Sequence, residues 1–146
     1  MKNLDIEPIN CDQLSLRDRR SVILHLLYAM DSFEYQASLE SIVDNFSRGF
    51  GYTISTDSYI FITSQAVIDS RDSLDAELKP LLANWSFDRI SSCTKLILRL
   101  ALWELINEDI SPNIVINEAV ELAKCFAEDD SYKFINGILD NFANKK

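Results

Sequence analysis

The chain has 146 residues, 47% of them hydrophobic, with 14 basic and 23 acidic side chains and a formal net charge of −9. That length supports one domain with a sizeable core, and the hydrophobic share excludes a disordered chain. Three glycines and three prolines suit long helices with short connections and argue against a strand-and-turn fold. An acidic body repels nucleic acid and anionic membranes on average, so any nucleic-acid site must be a local basic patch. Cys11, Cys93 and Cys125 form no CxxC pair, and with His25 as the single histidine no metal-ligand set is apparent. A scattered, odd cysteine count fits a reducing cytoplasm. MKNLDIEPINCDQ contains no long apolar run, so no signal peptide is expected there.

Residues 1–13, with Asp5, Glu7 and Pro8, show no sustained period and read as an extended or frayed arm, leaving 14–146 as a single helical domain. Ser15 can cap a helix, with Asp18 three residues on. Val22, Ile23, Leu26, Leu27 and Met30 then make one apolar stripe. Arg17, Arg19 and Arg20 fall in the first turns of that helix. Cations there oppose the helix dipole, so local folding gains little from them and a functional role competes with plain solvation. His25 lies beside the stripe with no nucleophile near it, which favours a structural histidine.

A second helix is expected over Ser38–Arg48, stopped by Gly49 and Gly51. A third starts at Thr56 or Asp57, is lined by Tyr59, Ile62, Ala66 and Val67, and runs towards Leu78, with SRDS at 70–73 able to kink or split it. Leu81, Leu82, Trp85 and Phe87 form an apolar link to a short turn at Asp88–Ser91. Trp85 reads as core or as an exposed anchor, with core favoured.

Cys93–Ile106, CTKLILRLALWELI, is apolar on nearly every side and reads as the buried central helix. At ~1.5 Å per residue it is too short to span a bilayer, and Lys95, Arg99 and Glu104 interrupt it. Ser111–Pro112 opens the next helix, whose stripe is Ile116, Ala119, Val120, Ala123 and Phe126. Glu128–Ser131 is a turn in which Asp130 or Ser131 caps the last helix, lined by Phe134, Ile135, Ile138, Leu139 and Phe142. Gly137 inside it costs about 1 kcal/mol relative to alanine, which suggests close backbone packing. The fold class is therefore all-α: about seven helices in two packed sub-bundles around a buried central helix. There is no glycine-rich phosphate loop, HExxH or GxSxG, and the carboxylates fall on predicted solvent faces. A binding module without cofactor is expected, not an enzyme.

VINEAVELAKCFAEDDSYKFINGILD, residues 115–140, resembles the NusB family of bacterial transcription antitermination factors. KLILRLALWEL at 95–105 is similar to the family's central helix, and RDRR at 17–20 with LLY at 26–28 resembles its arginine-rich entry helix. The resemblance covers roughly residues 16–142 and thins between Phe33 and Trp85.

The resemblance implies an all-helical cytoplasmic RNA-binding protein with no membrane role. It implies binding of boxA, a short single-stranded element of nascent ribosomal RNA transcripts, jointly with the ribosomal small-subunit protein NusE, to help RNA polymerase in the elongation complex resist termination. By motif position Arg17, Arg19 and Arg20 would meet the RNA backbone, Tyr28 would lie near its path, and Asp130, Lys133 and Phe134 would form the second half of the surface. Exposed positions of the central helix, Lys95 and Glu104 among them, would face the protein partner. Some relatives form homodimers that cover the RNA surface.

The basic cluster is thinned here, with Asp18 interrupting it and Asp5, Glu7 and Asp12 upstream. That keeps a second class open: a NusB-like protein-interaction module with weakened or lost RNA binding. A third is the RNA-binding piece that precedes some RNA cytosine methyltransferases, whose catalytic part does not fit within this chain.

Overall fold

A computed structural model describes residues 9–82 and 85–145. Seven α-helices and one pair of two-residue strands are present among them. The chain divides into two compact units, Met1–Gln65 and Ala66–Lys146.

In the first unit, β1 (Ile9–Asn10) pairs in parallel with β2 (Tyr52–Thr53), and a 3-10 turn at Cys11–Gln13 follows β1. Asn10 caps that turn by accepting from Asp12 N–H at 2.9 Å. Cys11 is fully buried, and burial together with neighbouring Asp12 pushes its thiol up to about 11. The expected frayed arm is thus pinned from Ile9 onward; Asp5, Glu7 and Pro8 lie outside the described residues. α1 (Leu16–Ser32) starts where Ser15 Oγ accepts from Asp18 N–H at 3.1 Å. It buries the expected stripe of Val22, Ile23, Leu26, Leu27 and Met30. Glu34 and Tyr35, both left-handed, reverse the chain after it.

α2 (Leu39–Phe50) is capped by Ser38 and packs on α1. It ends at Gly51, whose φ of 68° is a left-handed cap that glycine adopts without steric cost. Gly49 does not stop the helix; it lies inside it. α3 (Tyr59–Asp69) begins where Ser58 Oγ accepts from Phe61 N–H. Ile62, expected on its buried face, is 55% exposed; Val67 is buried as expected, and Ile60, Phe61 and Ile68 are buried with it.

In the second unit, Ser70 separates α3 from α4 (Arg71–Leu78), so the SRDS segment does split the pattern. 3-10 turns follow at Lys79–Leu81 and Phe87–Arg89. α5 (Ser92–Asn107) is the expected central helix, capped by Ser91, with Leu96, Ile97, Leu98, Leu100, Ala101 and Leu102 buried. Fully burying each such leucine or isoleucine contributes roughly 1.5–3 kcal/mol. α6 (Pro112–Phe126) and α7 (Ser131–Asn144) pack on each other and on α5.

Arg99 of α5 grips Asp75 of α4 with two hydrogen bonds, Nε to Oδ1 at 2.7 Å and Nη2 to Oδ2 at 2.8 Å. Cys93 Sγ–H donates to the Phe126 carbonyl at 3.4 Å and ties the start of α5 to the end of α6. Gly137 faces open space, with nothing within 4 Å of an added Cβ, so close backbone packing does not explain it.

Candidate nucleic-acid interface

In the first unit, α1 has an exposed side. Arg17 and Tyr28 lie eleven residues apart, so they share one side of the helix about 16 Å from each other. Both are exposed, Tyr28 by 51%. Arg19 is half-buried and anchored. Its Nε donates to the Leu14 carbonyl at 3.0 Å, and its guanidinium sits 5.4 Å from the Tyr59 ring centre. A groove of about 210 Å³ runs beside α1, lined in part by His25, Phe46, Phe50 and Tyr52. Phe46 lies 4.8 Å from Phe50 and 5.6 Å from Tyr52, centre to centre. His25 is exposed with Nδ1 2.7 Å from the Ser21 carbonyl oxygen, as a structural histidine would be.

Arg20 departs from expectation. It is only 3% exposed and has an interaction partner, so its guanidinium is no surface group for a phosphate. The first turns of α1 therefore present Arg17 and part of Arg19 rather than three equivalent cations. Arginine spacing alone could not reveal this, because burial depends on what packs over that side of the helix.

In the second unit, the candidate residues lie at the entry to α7. Asp130 is the N-cap, with a left-handed φ of 67° and no side-chain cap bond. That region admits Asp more readily than most side chains. Lys133 Nζ sits 3.5 Å from Asp130 Oδ1, a solvated pair that adds little to stability. Phe134 is half-buried and meets Trp85 edge-to-face, with ring centres 5.4 Å apart at 65°. Trp85 is 63% exposed, which overturns the reading that favoured the core. Trp85, Arg89, Thr94, Glu128, Lys133 and Phe134 help line a groove of about 610 Å³. Arg89 and Trp85 thus join residues that sequence reasoning had placed there from the α7 side alone. Two closely spaced aromatics, Trp85 and Phe87, in the link between helices were the available signal.

Of the proposed partner-facing positions on α5, Glu104 is corrected. Glu104 is 2% exposed and has an interaction partner, so it cannot be an outward-facing contact. Lys95 is half-buried with Nζ 4.5 Å from the Phe87 ring centre, and Lys79 approaches the same ring at 5.3 Å. Its ammonium is held by a cation–π contact. The exposed residues of that helix are Ser92, Ile106 and Asn107, Ile106 by 43%.

No group of His, Cys, Asp and Glu able to hold a metal occurs among the described residues. No described helix is long and apolar enough to cross a membrane.

The NusB family model matches residues 17–144. The transcription antitermination protein NusB of Staphylococcus epidermidis is 34% identical over 128 residues, covering 88% of this chain and 98% of that protein. Its namesake from Geotalea daltonii is 37% identical over 137 residues, covering 89% of this chain and 94% of its own. The solved structure of T. maritima NusB superimposes with a TM-score of 0.77 at 27% identity, covering 90% of this chain and 92% of that one. Capped helices, a buried α5 and an aromatic, lysine-bearing entry to α7 agree with that assignment: the chain belongs to the NusB family of transcription antitermination factors, a family of RNA-binding proteins and not of enzymes.

Proposed function

We propose that this protein acts in antitermination by binding boxA-type single-stranded RNA together with NusE, within the cytoplasmic elongation complex of RNA polymerase on ribosomal RNA operons. The observation that carries the reading is the Lys133–Phe134–Trp85 arrangement at the entry to α7: a solvated cation beside exposed ring surface. Single-stranded RNA needs both, cations for its phosphates and ring faces for its unstacked bases. Arg17, Arg19 and Tyr28 would serve the same transcript from α1, and Asp130 would accept from a base edge.

A gel-shift titration of boxA RNA, with and without NusE and at two salt concentrations, tests this. Arg17, Arg19 and Lys133 supply about three phosphate contacts, so log K against log salt should slope near −2, at ~0.7 per contact on a single strand. No shift at low salt even with NusE present would overturn the proposal. Burial of Arg20 favours one alternative, a protein-interaction module of the same family with weakened RNA contact. In that case Arg17→Glu leaves NusE binding and function unchanged. A homodimer covering the same surface would compete with RNA, visible as a concentration-dependent fall in affinity.

A further inference from the structure

We propose that the groove in front of α7 is a nucleobase pocket, with Trp85 as its stacking platform and Phe134 as the ring that holds the indole in place. The inference rests on the RNA-binding reading above and says which part of the RNA enters, and where.

Trp85 lies outside every helix and 3-10 turn, yet its orientation is supported. Phe134 packs against it edge-to-face at 5.4 Å and 65°, a geometry that aromatic pairs prefer. The indole nevertheless remains 63% exposed. A ring fixed by a neighbour but open to solvent is pre-organised for a flat ligand.

Charge selects the part of the ligand that enters. Glu128, Asp129 and Asp130 all line the groove, and all three are exposed. Three carboxylates repel a phosphate from the interior. They accept readily from the N–H donors on a base edge, as Glu and Asp do from cytosine N4. Arg89 and Lys133 line the same groove and are exposed, so they suit the phosphates that flank an inserted base. A volume of about 610 Å³ has room for a base and its ribose. An acidic peptide would meet the same repulsion as a phosphate. A purely apolar one would strip water from the groove's carboxylates and offer them no donor in return.

The test uses the full chain with NusE and boxA RNA, in a Trp103→Phe background where Trp85 is this protein's only tryptophan. Stacking predicts that RNA quenches Trp85 emission. Trp85→Ala should weaken RNA binding roughly 5- to 150-fold, as ~1–3 kcal/mol per stacked base converts, and Trp85→Phe should recover part of it. Thermal melts of both variants should stay within a few degrees of the parent, because the indole is mostly solvent-exposed and loses only its contact with Phe134.

RNA binding with unchanged emission and an unchanged Trp85→Ala affinity overturns the pocket and leaves the RNA-binding reading standing. Absence of RNA binding by the parent overturns both. A Trp85→Ala defect in NusE binding measured without RNA assigns the groove to a protein and overturns the nucleobase assignment.

Discussion

Asp75→Ala should destabilise the second unit far more than loss of a surface carboxylate would. The Arg99 and Asp75 side chains are only 11% and 15% exposed, and two charge-assisted hydrogen bonds at 2.7 and 2.8 Å join them. Removing the carboxylate leaves a largely desolvated guanidinium without its bidentate partner, at a cost of about 3–5 kcal/mol. Total stability of such domains is ~5–15 kcal/mol, so about a fifth or more is at stake. At roughly 2–4 °C per kcal/mol for a chain of this size, the midpoint should fall by about 6 to 20 °C. Urea unfolding followed by far-UV circular dichroism gives the loss directly. The double change Asp75→Leu with Arg99→Met should recover most of it, because neither member of this pair is then left buried without the other. Added salt should alter the parent little, since a desolvated pair is weakly screened. A loss below about 1 kcal/mol for Asp75→Ala is the value typical of exposed pairs and would refute the reasoning.

Gly137→Ala should stabilise by roughly 0.5–1 kcal/mol, because the position is mid-helix and an added Cβ meets nothing within 4 Å; a thermal melt checks it. Cys11 should make stability fall in alkali. Its folded pKa of about 11 lies above the ordinary 9.0, so the neutral thiol's contribution is complete below pH 9 and lost between pH 9 and 11. The difference in unfolding free energy between the parent and Cys11→Ala, followed from pH 8 to 11, isolates that loss. Arg17→Glu and Arg20→Glu should separate cleanly. The first, on an exposed side chain, keeps stability within about 0.5 kcal/mol and weakens boxA RNA binding, whereas the second places a reversed charge where Arg20 is buried and lowers the melting temperature before any RNA is added.

Much of the fold was legible because its signals are local. Ser15 three residues before Asp18 and Pro112 at the first turn of α6 each act within one helical turn, although Ser111 makes no side-chain cap bond. The apolar stripes of α1, α6 and α7 repeat within a few residues. For the same reason SRDS announced the break between α3 and α4. Residue types at the entry to α7 were legible too, and the NusB resemblance set them in order. The partner of Phe134 was not, because Trp85 comes from a linker 49 residues earlier.

The sequence by itself therefore determined an acidic all-helical chain, the positions of its helices, and its family. Only the tertiary structure decided which charged side chains are surface and which are interior. Arg20 and Glu104 went inside, Arg99 found Asp75 24 residues away, Trp85 stayed in solvent, and Gly137 faced open space. The physical reason is range. Caps and periodicity are settled by neighbours along the chain, whereas burial and ion pairing are settled by segments that meet only after the helices have packed.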